Sequence, residues 1–299
     1  METSEAAPPG AADAFEAPEA AGAPEAPEAP ERMDARGYGA APLAAAYNRL
    51  LGPALPAQVM PVCERLLFPA LPAGAAVLEL GCGTGHVARA LLARGFAVTG
   101  LDLAPEMLAH ATENAPGASF VAADLRRFEL PATYDAGLMI GSVGHLASAG
   151  DLAAAFANIH RALRPGACLL FDAYLPGEFG DDRHFTHLAD DLAVIFRETY
   201  LGAERRSRAV ATIFHLSPGP ADATDADDGD DGTDAADADW QRWDGTWHET
   251  YHPAADLTAA LLGAGFEAPR FYDAARDLGQ TEHPERTYVV ARRPDAARS

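Results

Sequence analysis

Three glycines at alternate positions, Gly81, Gly83 and Gly85, follow an apolar run in the stretch VLELGCGTGH, residues 77–86. Glycine has no Cβ and adopts positive φ at little cost, so such a loop lets the backbone approach a ligand closely. If the loop follows a strand and opens a helix, its free N–H groups and the helix dipole face the carboxyl edge of the sheet. The dinucleotide fingerprint GxGxxG would need a third glycine where this sequence has His86. The spacing GxGxG therefore favours a ligand other than a dinucleotide.

Three acidic residues, Glu79, Asp102 and Asp124, stand at or near the ends of three successive predicted strands. A carboxylate at Asp102 can accept hydrogen bonds from both hydroxyls of a ribose, and it would repel a 2′-phosphate. A carboxylate at Asp124 can accept from the exocyclic amine of adenine. Together the three acids indicate a ligand with an amine, a ribose and an adenine. Capping of the following helix is the alternative for each aspartate.

At these residues the chain resembles the class I S-adenosylmethionine-dependent methyltransferases. ELGCGTG looks like their first motif, LDLAPEML like the second and AADL like the third, and the resemblance covers residues 74–175 well. It implies that S-adenosylmethionine is the cofactor. The glycines would flank its methionine part, Glu79 would orient its amine and Asp102 would hold its ribose. Asp124 and Leu125 would border its adenine. The cofactor-binding residues predicted in this way are Glu79, Gly81, Cys82, Gly83, Gly85, Asp102, Leu103, Asp124, Leu125 and Ile140.

Short apolar strands alternate with helices in the part of the chain that must position these residues. The strands are predicted at 76–80, 97–101, 119–121, 136–140 and 168–173, and the helices at 84–94, 105–114 and 150–163. Two earlier helices are predicted, one from about Gly39 and one at 57–69. The alternation predicts βαβ units in a doubly wound α/β fold, with a sheet buried on both faces. We expect a seven-stranded, mostly parallel, Rossmann-like sheet whose last strand runs antiparallel.

The alternation stops near residue 176. Residues 192–201 and 206–216 predict an antiparallel hairpin, and 245–252 predict a third strand, so this insert should form a lid. A helix at 254–263 and strands near 268–272 and 286–292 complete the chain. The predicted organisation is a disordered acidic leader at 1–36, a cofactor-binding core at 37–175, the lid at 176–252 with a disordered Asp-rich loop at 219–239, and a C-terminal part of the core at 253–295.

The acceptor site is predicted where the fourth strand ends, in LMIGSVGHL. Ser142 and His145 fall there, and His145 is the first candidate for orienting or deprotonating the acceptor, with a pKa near the working pH. A histidine that only hydrogen-bonds to the backbone is an equal alternative. SVGHL, followed by FDAYLPGEF, resembles the N,N-dimethyltransferases that act on amino groups of deoxyaminosugars. That resemblance implies that Tyr47, in the pair Tyr47-Asn48, closes over the cofactor and the acceptor nitrogen.

Aromatic residues in and beside the insert could surround an amine or its cationic product. They are Tyr174, Phe179, Phe185, Trp243, Trp247 and Tyr251. Packing of a three-stranded layer is the favoured explanation for most of them. The predicted substrate-binding residues are Ser142, Tyr174 and Trp247, and the predicted catalytic residues are His145 and Tyr47. No metal site is expected: His184 and His187 lack a third ligand at useful spacing, and the Asp-rich loop lacks the final Glu of a calcium loop.

Composition narrows the class of function. The net charge is −22, but much of it lies in the leader and the Asp-rich loop, and no basic patch is visible. Neither nucleic acid nor an anionic membrane is therefore expected as a partner. All 22 basic residues are arginine, which excludes a lysine Schiff base and a P-loop lysine. Three scattered cysteines, no secretory signal and no apolar run of about 18 residues favour a cytoplasmic protein.

These observations predict an S-adenosylmethionine-dependent methyltransferase that acts on a small molecule. The acceptor atom is expected to be an amine nitrogen, with an oxygen as the alternative. Two other classes stay open at this point, a nucleotide-binding oxidoreductase and a non-catalytic cofactor-binding protein. The sequence predicts no oligomeric state.

Overall fold

The structure, a computed structural model, describes residues 40–177, 182–216 and 239–296. Within these residues, eleven strands form two sheets, one of seven strands and one of four. The leader predicted at 1–36 lies outside the described residues. So does the loop predicted at 219–239, apart from its last residue.

The larger sheet, here the core sheet, has the predicted doubly wound form. Its members are β1 (Ala76–Leu80), β2 (Ala97–Asp102), β3 (Ser119–Ala122), β4 (Tyr134–Met139), β5 (Leu163–Ala173), β10 (Arg270–Asp273) and β11 (Thr287–Arg292). Their order across the sheet is β10-β11-β5-β4-β1-β2-β3. Strands β1 to β5 pair in parallel, and β11 runs antiparallel to β5 and β10. The predicted mostly parallel sheet of seven strands with an antiparallel last strand is confirmed.

Helices cover both faces of the core sheet. They are α1 (Ala41–Leu50), α2 (Leu55–Leu66), α3 (His86–Leu92), α4 (Pro105–Asn114), α5 (Ala149–Ala162) and α6 (Ala254–Gly263). Apolar residues of α5 and α6 form one core cluster with the sheet, and those of α2 and α3 form another. Strands buried from both sides need apolar side chains on both faces, which explains why β1 and β4 are near-continuous apolar runs.

The smaller sheet, here the cover sheet, is antiparallel throughout. It consists of β6 (Arg183–Leu188), β7 (Leu192–Leu201), β8 (Arg206–Leu216) and β9 (Trp240–Thr250), in that order. The predicted hairpin over 192–201 and 206–216 is confirmed. The predicted three-stranded layer is wrong, because β6 adds a fourth strand and β9 begins before residue 245. β6 is an edge strand that alternates half-buried and exposed residues, and its two histidines and one threonine gave a weak strand signal.

The cover sheet packs against one side of α1. Leu43 and Ala46 of α1 form a small core cluster with Val194 of β7 and Ile213 of β8. On its other side α1 packs against Met107 of α4. Helix α1 therefore lies between the cover sheet and the helices that follow the glycine loop. Within the described ranges, no helix is long and apolar enough to cross a membrane.

Candidate active site

A cavity of about 960 Å³, including its opening to solvent, lies at the carboxyl ends of β1, β2, β3 and β4. We call it the glycine-loop cavity. Its wall contains most of the residues predicted to bind the cofactor: Gly81, Gly83, Asp102, Leu103, Asp124, Leu125 and Ile140. The predicted residues Glu79 and Cys82 line a smaller pocket of about 290 Å³, which shares Gly81 and Ile140 with the larger cavity. Parallel strands thus bring together residues that are far apart in sequence.

The three loop glycines all have positive φ, of 71°, 51° and 76°. They differ in what lies beside them. A Cβ at Gly81 would overlap the hydroxyl of Ser142, and one at Gly83 would lie 3.5 Å from the ring of Tyr47, so both glycines border the cavity. A Cβ at Gly85 would lie 2.8 Å from the Cα of Ala111 in α4. The structure therefore places Gly85 in the contact between loop and helix, away from the cavity wall.

Asp102 ends β2 and holds the glycine loop in place. Its Oδ2 accepts the N–H of Gly83 at 2.8 Å, and its Oδ1 accepts the N–H of Ala104 at 3.0 Å. These bonds leave a second acceptor position on each oxygen, and the residue lines the cavity. Burial raises the pKa of Asp102, and the backbone N–H groups partly oppose this. Ala104 is the N-cap residue of α4 and makes no capping bond with its own side chain, so the carboxylate of Asp102 also supports the start of this helix, in line with the capping alternative.

Glu79 is buried below the loop. Among the described residues, its Oε2 has no hydrogen-bond partner. Burial, with a smaller effect from the charge of Asp102, raises the pKa of Glu79 to about 8. A buried carboxylate oxygen without a donor is costly, and a cationic amino group in the adjoining pocket would satisfy it. The residues present therefore fit a ligand that carries an ammonium group beside a pair of hydroxyls.

Asp124 lines the same cavity, but its carboxylate already has a partner. Arg126 binds it through Nε to Oδ1 at 2.9 Å and through a terminal nitrogen to Oδ2 at 2.7 Å. Burial raises the pKa of Asp124, but the hydrogen bonds from Arg126 outweigh burial and leave it lowered. An adenine amine would share this carboxylate with the guanidinium. Arg126 was not predicted as a wall residue, although it follows Asp124 by two positions in AADLRRF.

A second cavity of about 990 Å³, including its opening, lies between α1 and the inner face of the cover sheet. We call it the cover-sheet cavity. Tyr47, Gly141, His145 and Arg286 line both cavities, so the two meet at these residues. The predicted catalytic residues Tyr47 and His145 thus stand at the junction, and Ser142 lies on the glycine-loop side of it.

His145 lies in the short helical turn Val143–His145 that follows β4. Burial lowers the pKa of His145 to about 4, so its imidazole is neutral at pH 7. The expectation of a pKa near the working pH is therefore wrong, because protein surrounds the ring and disfavours its charged form. Burial and the charge of Asp102 raise the pKa of Tyr47, which keeps its phenolic proton. Asn48, next to it, faces away and accepts a hydrogen bond from Asn114 at 2.7 Å.

The aromatic residues of the insert serve both as packing and as cavity wall. Phe185 stacks on Phe196 with ring centroids 5.1 Å apart, and Phe196 contacts Trp247 at 5.9 Å. All three line the cover-sheet cavity, as does the predicted residue Tyr174. Trp243 packs in the cluster between α1 and the cover sheet and is not part of the wall. Phe179 lies outside the described residues.

Two arginines and two glutamates of the cover-sheet cavity were not predicted: Arg183, Glu198, Glu249 and Arg286. Arg286 precedes β11, and its Nε lies 3.3 Å from Oδ2 of Asp172. Asp172 in turn accepts the N–H of Gly141 at 2.6 Å. The ion pair therefore holds the floor of the junction. Within the residues described, no cluster of His, Cys, Asp and Glu is arranged to hold a metal ion.

The strand order and the glycine loop agree with the comparisons to known proteins. Residues 77–166 match a family model described as a methyltransferase domain. The chain is a class I methyltransferase. The putative methyltransferase YqeM of Bacillus subtilis (strain 168) is 25% identical over 231 residues, which are 75% of this chain and 86% of YqeM. The family assignment decides against the oxidoreductase and non-catalytic alternatives.

Solved methyltransferases share the fold over most of their length. The sugar N-methyltransferase KedS8 from Streptoalloteichus sp. ATCC 53650 has a TM-score of 0.67 and 25% identity, covering 92% of this chain and all of KedS8. CalS10, an amino pentose methyltransferase from Micromonospora echinaspora with S-adenosylmethionine bound, has a TM-score of 0.60 and 26% identity, covering 84% of this methyltransferase and 95% of CalS10. The cofactor of this methyltransferase is S-adenosylmethionine, as the sequence motifs predicted.

Another curated relative matches over a shorter stretch. The malonyl-[acyl-carrier protein] O-methyltransferase of Serratia marcescens is 36% identical over 146 residues, which are 46% of this methyltransferase and 56% of that enzyme. The match therefore spans little more than half of the relative's own length. Its acceptor chemistry does not carry over.

Proposed function

We propose that this methyltransferase transfers a methyl group to an amine nitrogen of a small molecule held in the cover-sheet cavity. The observation that carries the proposal is the pair of adjoining cavities, which meet at Tyr47 and His145. One cavity has the residues for the cofactor, and the other has room for an acceptor beside it. A reaction between two bound molecules needs this kind of alignment.

The residues of the glycine-loop cavity, with Glu79 of the adjoining smaller pocket, would supply the binding contacts for the cofactor. Glu79 would hold its amino group, the backbone at Gly81 and Gly83 would border its methionine part, and Asp102 would accept from its ribose hydroxyls. When bound, S-adenosylmethionine supplies a methyl group that its sulfonium already activates. The protein therefore has to bind, orient and keep water away, since a neutral amine attacks without further activation.

The wall of the cover-sheet cavity supports an amine over a hydroxyl acceptor. It combines aromatic rings, Phe196 and Trp247 among them, with the carboxylates of Glu198 and Glu249. Aromatic faces and carboxylates both attract ammonium groups. His145 is neutral, so it can accept a hydrogen bond from an amine without repelling a cationic product. The likeness to KedS8, a sugar N-methyltransferase, points in the same direction.

Labelled methyl transfer tests this proposal. The protein would be incubated with methyl-labelled S-adenosylmethionine and matched acceptors: aminosugars and benzylamine, the corresponding sugars and benzyl alcohol, and malonate. We expect label on the amines only. Label on the hydroxyl or carboxylate compounds alone would replace the proposal with O-methylation. The Asp102→Ala variant is the control for cofactor-dependent transfer.

A further inference from the structure

Two glutamates, Glu198 and Glu249, lie on the inner face of the cover sheet and line the cover-sheet cavity. Glu198 of β7 pairs in register with Ala209 of β8, and Ala209 pairs with Trp247 of β9. Glu249 lies two residues further along β9, on the same face as Trp247 because side chains alternate along a strand. Arg183 of β6 stands opposite Glu198 in register, so this face holds two acids and one arginine among its apolar side chains, and a cationic ligand group would fit beside the acids.

Glu198 is held in place by three donors. The hydroxyl of Ser207 donates to its Oε1 at 2.6 Å, and the hydroxyl of Tyr251 donates to the same oxygen at 3.3 Å. A terminal nitrogen of Arg183 lies 4.0 Å from its Oε2. These contacts fix Glu198 as a stationary negative charge beside the cavity.

Glu249 is placed differently. Its side chain stands over Gly144 in the turn that carries His145: a Cβ at Gly144 would lie 3.2 Å from the Cβ of Glu249 and 3.3 Å from its Oε2. Its neighbour Trp247 donates a hydrogen bond to the carboxylate. Glu249 thus belongs to the cover sheet but reaches the turn at the junction of the two cavities.

We propose that Glu249 accepts a proton from the acceptor nitrogen, and that Glu198 supplies the fixed charge that attracts the protonated acceptor. The inference rests on the proposed N-methylation. In this step an ammonium N–H bond breaks, the proton joins an oxygen of Glu249, and the electron pair stays on nitrogen. That pair would then form the new N–C bond while the bond between the methyl group and the cofactor sulfur broke, with its electron pair remaining on sulfur as in S-adenosylhomocysteine. Glu249 loses its proton to solvent before the next turnover.

The electrostatic surroundings make Glu249 a suitable base. Burial, with smaller effects from the charges of Glu198 and Asp172, raises its pKa to about 8, although Arg183 acts in the opposite direction. A base works best when its pKa lies near that of the group it deprotonates and near the working pH. His145, with a pKa of about 4, is too weak a base for an alkylammonium ion and remains a hydrogen-bond partner. The other titratable or charged groups around the cavity and its edge are Tyr47, His145, Asp172, Tyr174, Arg183, Glu198, Tyr251, His252 and Arg286.

The test is the pH dependence of kcat/KM with the best amine from the labelled panel. In the wild type, kcat/KM should rise as the pH increases through about 8, because Glu249 must be ionised to accept a proton. Glu249→Gln should lose about 100-fold or more at pH 7. The pH profile of this variant should lack the inflection near pH 8. Its kcat/KM should approach that of the wild type at high pH, where the amine is already neutral in solution. Glu249→Asp should retain part of the activity and the inflection.

Glu198→Gln gives a second, independent readout. Since the charge of Glu198 raises the pKa of Glu249, its removal should move the inflection to lower pH. The exposed Glu204, in the turn between β7 and β8, supplies the matched control, and Glu204→Gln should leave the profile unchanged. Unchanged cofactor affinity in each variant would show that the core is intact.

The outcomes separate the two proposals. If the wild type methylates none of the amines, the proposed function fails and the role of Glu249 fails with it. If the wild type methylates an amine, and Glu249→Gln with intact cofactor affinity keeps both rate and pH profile, only the role of Glu249 is overturned. The role of Glu249 would also be contradicted if the inflection of kcat/KM in Glu198→Gln lay at the same pH as in the wild type.

Discussion

The glycine-loop cavity takes most of its polar groups from short segments next to strand ends, whereas the cover-sheet cavity takes its polar groups from side chains scattered between Tyr47 and Arg286. In the first, much of the wall is backbone, as at Gly81 and Gly83, and its shape depends on positive φ. In the second, the wall is set by which side chains face inward along four antiparallel strands. A binding site for a cofactor shared by a whole family can therefore be recognised from short sequence motifs. The residues of an acceptor site are spread along the chain and come together only in the folded protein.

The largest effect expected is from filling the cover-sheet cavity. Ala211 lines it at the centre of β8, where small side chains leave room. Ala211→Phe should lower kcat/KM for the acceptor by about 100-fold or more, since overpacking removes space for a ligand. Cofactor affinity, measured by calorimetry, should not change. The matched control is Val210→Phe on the outer face of the same strand, which should keep activity; equal loss in both variants would mean that β8 itself had been disrupted.

His145→Ala separates the junction from the cofactor contacts. The neutral imidazole lines both cavities, so its loss should slow turnover by roughly 10- to 100-fold through lost orientation. Cofactor affinity should change by much less. Turnover equal to the wild type's would make His145 a packing residue only, the alternative left open by the sequence.

Asp102→Ala tests the cofactor contacts of the glycine-loop cavity alone. Removal of a carboxylate that would accept from the ribose hydroxyls should weaken cofactor binding by about tenfold or more. It also removes the acceptors for the N–H groups of Gly83 and Ala104, so the loop itself is less well held. Calorimetric affinity equal to the wild type's would refute the ribose assignment.

The smallest effect concerns stability. The folded-state pKa of Glu79 is about 8, above its ordinary value of 4.5, so the folded protein binds the extra proton between these values. Stability therefore falls as the pH rises from about 4.5 to 8. Without cofactor, Glu79→Gln should have a higher Tm than the wild type at pH 9, by about 5 °C, and an equal Tm at pH 4. An equal difference in Tm between variant and wild type at pH 4 and pH 9, or a lower Tm for the variant at pH 9, would contradict this expectation. Glu64→Gln, at an exposed glutamate, is the control.

The core sheet is predictable from local patterns, and the same patterns place the proposed cofactor residues at one edge of it. Apolar runs give strands, and the positions just after them meet at one edge. Gly85 remains a predicted cofactor residue, but it packs against Ala111 and does not line the glycine-loop cavity, because one motif can hold glycines of different roles. Sequence reasoning missed β6, whose half-polar edge pattern resembles a loop, and with it Arg183.

The acceptor residues were harder to predict for a physical reason. Glu198 and Glu249 look like ordinary surface acids within β7 and β9 until the register of the cover sheet places both on the inner face. The pKa of His145 was misjudged because burial depends on which elements close around the ring. Both depend on tertiary contacts that no single segment encodes.

The most direct test of the two-cavity account is a crystal structure with S-adenosylhomocysteine and the amine of highest turnover. The account predicts the ribose hydroxyls within hydrogen-bond distance of the Asp102 carboxylate and the amino group beside Glu79. It places the amine nitrogen between Tyr47 and Glu249 at the junction. An amine bound on the glycine-loop side, or a cofactor product whose ribose lies away from Asp102, would contradict the account.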